Sequence, residues 1–153
     1  MTALRDRLPR FSASAYLRLV LASAVYDLVL TSPFATPWSF AWVHQQLSAL
    51  NQALGGLPLP VFEPFHLLIA GLLGSIVTVW SLLRLRRRDA SLGRYDGMAR
   101  LLFSSWMAWT LAQTGQPLLW LFLLPEAAWG IAQLWPVNRM PEQCSVAATG
   151  RSQ

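Results

Sequence analysis

Charge is missing from three long stretches of this chain, and that limits what it can fold into. Residues 28–62 hold no Asp, Glu, Lys or Arg, residues 67–83 hold none, and residues 101–138 hold only Glu126. Soluble globular domains carry charge at about a quarter of their positions. Here 12% of 153 residues are charged and 54% are hydrophobic. These figures exclude a disordered chain and an ordinary soluble enzyme. The single cysteine, Cys144, excludes an internal disulfide framework.

A helix that crosses a bilayer needs about 20 mostly apolar residues. Four such helices are expected, at about 12–32, 64–84, 97–114 and 117–136, within one domain spanning 1–136. Pro64 suits the first turn of the second, and Gly115-Gln116-Pro117 divides the last long apolar stretch into two helices. The fold class is therefore all-α: a polytopic four-transmembrane-helix bundle. Arg18 interrupts the apolar core of the first helix, so a retained helix is favoured over a cleaved signal peptide. Residues 137–153 are polar and are expected to form a disordered cytoplasmic tail holding a reduced Cys144.

The arginines set an orientation. All twelve basic residues are Arg, and the formal net charge is +5. Arg5, Arg7 and Arg10 precede the first helix. Arg84, Arg86, Arg87, Arg88, Arg94 and Arg100 surround the connection between the second and third, and Arg139 and Arg151 follow the fourth. Four crossings put all of these on one side and leave the other side without Arg. By the positive-inside rule both termini are cytoplasmic, as expected of a multi-pass protein of the bacterial inner membrane. The basic balance then reflects topology, and no nucleic-acid partner is expected.

In the external loop, Trp38, Phe40, Trp42, Val43, Leu47, Leu50 and Leu54 recur at helical spacing. They predict a short amphipathic helix on the membrane surface with Trp38 and Trp42 as interfacial anchors. Small residues at Gly71 and Ser75, and at Ala128 and Ala132, predict close helix contacts.

Ionisable groups within apolar stretches are costly and are the first candidates for function. Glu126 falls near the middle of the fourth helix beside Pro125, and its carboxylate must be protonated or paired. Arg18 is the nearest candidate partner by depth, and an Arg18–Glu126 ion pair would be a structural tie. Arg100 is expected to snorkel to the headgroups. Asp27, Trp106, Trp109 and Glu126 are the candidate lining of a pocket for a ring or an isoprenoid tail. Glu63 and His66 have Glu-x-x-His spacing, and with Asp27 they form a weak candidate metal set. The chain carries no phosphate loop, Cys pair, Ser–His–Asp signature or haem pattern.

Gly56-Leu57-Pro58 ends the external loop, and Ile69-Ala70-Gly71-Leu72-Leu73-Gly74 follows in the second helix. With the four short helices, these segments resemble the DoxX-like family of small bacterial inner-membrane proteins. The resemblance implies an accessory membrane subunit of a redox- or quinone-linked system, and it assigns no catalytic residue and no cofactor. Three function classes stay open. The first is a non-catalytic accessory or ligand-binding subunit, acting with lipids, a hydrophobic small molecule or quinone, a membrane-protein partner or further copies of itself. The second is a membrane enzyme of isomerase or oxidoreductase type, with Glu126 or Asp27 as the acid–base group. The third is a proton-coupled small transporter.

Overall fold

The computed structural model describes residues 10–137, and over that range the chain is all-helical. Five α-helices follow in order: α1 (Ala13–Thr31), α2 (Pro37–Ala53), α3 (Pro64–Arg86), α4 (Ala90–Thr114) and α5 (Leu119–Leu134). A 3-10 turn, Ser32–Ala35, joins α1 to α2. Arg5, Arg7, Arg139, Arg151 and Cys144, with all of the expected tail beyond Val137, lie outside the described residues.

Local chemistry sets the helix ends. Ser12 caps α1 by accepting from the Ala15 N–H (3.2 Å), and Thr36 caps α2 by accepting from Ser39 (3.3 Å), with Pro37 in its first turn. Asp89 caps α4 by accepting from the Ser91 N–H (2.8 Å), a bond that holds its carboxyl below the usual range. Because of this cap α4 begins at Ala90, well before the expected 97. Arg94 and Asp96, which precede the expected start, and Arg100, expected just inside it, lie along its first three turns. Gly115 (φ 64°) ends α4 in the left-handed conformation that opens the turn into α5.

The helices alternate in direction. The Phe11 N–H donates to the Pro136 carbonyl (3.1 Å), and the Tyr16 hydroxyl donates to the Gln133 carbonyl (2.8 Å), so α1 starts where α5 ends. Arg84, near the end of α3, meets Asp96, near the start of α4, at this same end. At the opposite end, buried Asn51 of α2 donates to the Leu57 carbonyl (2.6 Å) and to Gln116, and accepts from the Leu118 N–H (3.0 Å). One side chain thus ties α2 to the loop after it and to the α4–α5 turn. His44 bonds the Pro60 carbonyl (3.0 Å) and packs among Phe40 and Phe62 in the same region.

The packing is uneven. α4 and α5 form a close hairpin, and α1 lies along α3 and touches both members of that hairpin. α1 presents Tyr16, Val20, Ser23, Ala24 and Asp27, one stripe at helical spacing, to the interior. The backbones of α3 and α4, although joined by a short loop, hardly approach one another. The close contacts differ from those expected at Gly71/Ser75 and Ala128/Ala132, since Ser75 and Ala128 are exposed. They run through glycines instead: Gly74 of α3 against Phe34, and Gly97 of α4 against Gly130 of α5.

Two segments, Ala13–Ala35 and Pro64–Arg86, are long and apolar enough to cross a membrane. α5 is apolar but shorter. Large apolar side chains face outward on every long helix, including Val29, Ile76, Val79, Leu102, Trp106 and Leu124.

A methyl group at Gly74 would lie 2.7 Å from Phe34 Cβ and 2.9 Å from its backbone carbon, whereas at Gly71 the nearest atom would be 3.9 Å away. Gly74→Ala should cost about 1–3 kcal/mol by forcing the Ser32–Ala35 turn away from α3. Gly71→Ala, one turn earlier, should be close to neutral. Thermal unfolding of the two variants in detergent checks this; equal midpoints would show that the close approach is not made.

Candidate functional site

Five ionisable side chains converge between the helices. Asp27 comes from α1, Arg84 from α3, Asp96 and Arg100 from α4, and Glu126 from α5. Arg84 is completely buried and Arg100 is 2% exposed. Arg84 pairs with both Asp27 and Asp96 and donates to Ser23 (3.2 Å) and Ser81 (3.3 Å). Arg100 reaches all three acids: Nε to Asp96 (3.0 Å), Nη2 to Asp27 (2.6 and 2.7 Å), and Nη1 to both Glu126 oxygens (2.9 Å). Asp96 also accepts from Trp80 Nε1 (2.9 Å) and Gln133 Nε2 (2.8 Å), and Gln133 donates in turn to Ser23 (2.7 Å).

Helical spacing builds this lattice. Asp96 and Arg100 are four residues apart and share a face of α4. Ser81 and Arg84 are one turn apart on α3, as are Ser23 and Asp27 on α1. An arginine side chain in a helix points back toward its N-terminus, which carries the Arg84 guanidinium inward from the end of α3. Burying an unpaired charge costs several kcal/mol, and here each guanidinium has at least two carboxylate partners.

A cavity of about 610 Å³ opens beside the lattice. Its polar end is formed by Asp27, Asp96, Arg100 and Glu126, with Thr31 and Tyr95 nearby. Its walls are apolar: Ile76, Val77 and Trp80 of α3, Ala99, Phe103 and Met107 of α4, and Phe122 of α5. Leu30, Phe34 and Leu47 complete the lining. The cavity occupies the space between α3 and α4, whose backbones stay apart. A shallower apolar groove on α3, lined by Ser75, Ile76, Val79, Trp80 and Leu83, shares Ile76 and Trp80 with it.

The sequence-derived candidates fall on both sides of this arrangement. Asp27 and Glu126 line the cavity together. Trp106 and Trp109 do not: they are 67% and 58% exposed and pack edge-to-face on each other at 5.9 Å. The α4 side of the cavity is lined by Tyr95, Asp96, Ala99, Arg100, Phe103 and Met107, and neither tryptophan is among the lining residues. Glu126 pairs with Arg100, while Arg18 is exposed on the outside of α1. The tie expected between Arg18 and Glu126 is therefore made by Arg100, the residue expected to snorkel. Glu63 and His66 are exposed near the start of α3, with the His66 ring against Phe62 at 5.9 Å, remote from the Arg84 end of that helix. Among the described residues no group of three or more His, Cys, Asp or Glu side chains is placed to hold a metal.

Arg84, Asp96, Ser23, Ser81, Trp80 and Gln133 were not singled out by sequence. Arg84 is the last residue of the expected second helix and reads there as one of the arginines around the connection to the third. The available signal is its setting between Leu83 and Leu85, one residue inside the Arg86–Arg88 run. Asp96 carries a signal in its four-residue spacing from Arg100.

No protein-family model, no curated protein and no solved structure matches the chain.

Removing Arg100 leaves three buried carboxylates to one guanidinium. Arg100→Gln should destabilise the fold by about 3–5 kcal/mol, and Arg18→Gln by less than about 0.5 kcal/mol, as for an exposed site. Chemical denaturation of both variants in a mild detergent tests the contrast. A well-folded Arg100→Gln protein would show that the lattice does not hold the helices together.

Proposed function

We propose that this chain is a four-span protein of the bacterial inner membrane that holds a lipid-like molecule in the cavity between α3 and α4. It acts as a non-catalytic binding or accessory subunit. The observation that carries this reading is the cavity itself. It is apolar along its walls, ionic at one end, and bounded by two helices that do not close on one another. Small-molecule sites share that pattern of apolar walls with a few convergent polar groups.

The exposed apolar residues of α4 and α5 support four crossings. α4 is more polar than α1 and α3, with Ser104, Ser105, Thr110 and Gln113 beside its charges, yet Asp96 and Arg100 are buried in the lattice and present no charge to lipid. At about 1.5 Å per residue its 25 residues reach about 37 Å, beyond the roughly 30 Å hydrocarbon core. Arg10, Arg86, Arg87, Arg88 and Arg94 gather at the end where α1 and α4 begin, which supports cytoplasmic termini. α2, with Trp38 and Trp42 exposed, suits the outer interface. Alkaline phosphatase fused after residue 50 should be active in the periplasm, whereas fusions after residues 90 and 136 should be inactive. Activity at all three positions would overturn the four-span topology.

Native mass spectrometry of the protein ejected from gently solubilised membranes should show a bound small mass. Ala99→Trp, which places an indole in the cavity, should lower the occupied fraction by about tenfold, the scale of a lost apolar contact surface. A bare protein, or an adduct indifferent to Ala99→Trp, would overturn the reading.

A second reading has one observation in its favour: Glu126 and Asp27 both face the cavity. In an enzyme acting on a hydrophobic substrate either carboxylate would serve as the acid–base group. Glu126→Gln would then abolish turnover while leaving the bound mass in place.

A further inference from the structure

The polar end of the cavity is unbalanced, in charge and in hydrogen-bonding capacity. Three carboxylates face two guanidiniums, a formal excess of one negative charge among side chains that are buried or nearly so. Every nitrogen of Arg100 is already engaged, Nε by Asp96, Nη2 by Asp27 and Nη1 by Glu126. Arg84 does not line the cavity at all. Trp80 Nε1 is spent on Asp96, and the Thr31 hydroxyl donates to the Asp27 carbonyl (2.6 Å). Tyr95, an exposed lining residue, brings the remaining hydroxyl. The charged groups that face an occupant therefore offer acceptors rather than donors.

Spare acceptor capacity is concentrated on one residue. Asp96 takes four donors and Asp27 takes three bonds from two guanidiniums. Glu126 accepts from Arg100 Nη1 alone, and its side chain keeps 13% of its surface open at the cavity wall. A carboxylate has about four acceptor positions, so at least two on Glu126 are free.

Resting on the cavity reading above, we propose that the occupant is an amphiphile with a cationic ammonium head, and that Glu126 is its counter-ion. A positive head cancels the excess charge of the lattice and supplies donors to the open acceptor positions of Glu126. Its chain lies along Ile76, Phe103, Met107 and Phe122. An occupant with only acceptors, such as a quinone in its oxidised form, finds no free guanidinium donor here. A carboxylate head adds to the excess negative charge.

Three probes of one chain length separate head from tail: decylammonium, decanol and decanoate. Each is titrated at pH 7 into the full chain in phosphatidylcholine nanodiscs, with binding read by native mass spectrometry against empty discs. Decylammonium should bind about tenfold or more tighter than decanol, in keeping with a charge-assisted pair out of water, and decanoate should bind weakest. Glu126→Gln should bring the decylammonium-to-decanol ratio to about one, and Glu126→Asp should retain a preference for the cation. Equal binding of decylammonium and decanol by the unmodified chain would overturn the cationic head while leaving the cavity reading in place. So would a preference that survives Glu126→Gln. Binding of none of the three probes would overturn both. The comparison among probes on the unmodified chain decides the matter even where Glu126→Gln does not fold.

Discussion

Two arginines hold four helices together. Arg84 and Arg100 lie in the interior with almost no contact with solvent, and between them they bind acids from α1, α4 and α5. In an apolar surrounding a lone guanidinium is prohibitively costly, so its partners are fixed as firmly as its own position. The apolar residues do not impose comparable order, because lipid tails would solvate them as well as neighbouring helices do. Among the described residues the buried apolar side chains are Tyr16, Val20, Ala24, Phe40 and Leu118, and the largest fully buried side chains are the two arginines themselves. The interior is organised by charge, and apolar residues cover the outside.

That inversion decides what sequence could and could not disclose. Alternation of apolar runs with arginine clusters marks four of the helices, and the Trp38–Leu54 periodicity marks the fifth. Such signals lie within single segments. Asp27 and Glu126 were recognisable as costly, because each stands alone in an apolar surrounding. Arg84 and Asp96 were not, because each lies beside other charges at or outside a helix end, where solvation explains it equally well. Partner choice was also hidden. Depth along the helix axis suggested Arg18 for Glu126, but the facing direction of α1 turns Arg18 outward, and angle about the axis outweighs depth. For Trp106 and Trp109, the polarity of α4 indicated that the helix faces protein, but it did not show that both rings would stay exposed.

The close glycine contacts have a related cause. Small-residue spacing predicts that helices approach, yet the positions used are those on the face the ion lattice turns inward. Gly97 and Gly130 meet beneath Arg100, and Gly93 fits under Tyr16 and Val20. The contact faces thus follow from the charged side chains, and the small-residue pattern by itself misplaces them.

The gap between α3 and α4 follows from the same economy. α3 is anchored along α1 and on the Phe34 turn, and it meets α4 chiefly through Trp80 and Arg84, both of which engage Asp96. Any swing of α3 that widens the slot draws those two side chains away from the carboxylate. Arg84 would also loosen its hold on Asp27. The door and its lock are therefore the same few atoms. Under the proposed binding role, a guest entering between these helices would work against the electrostatics of the interior.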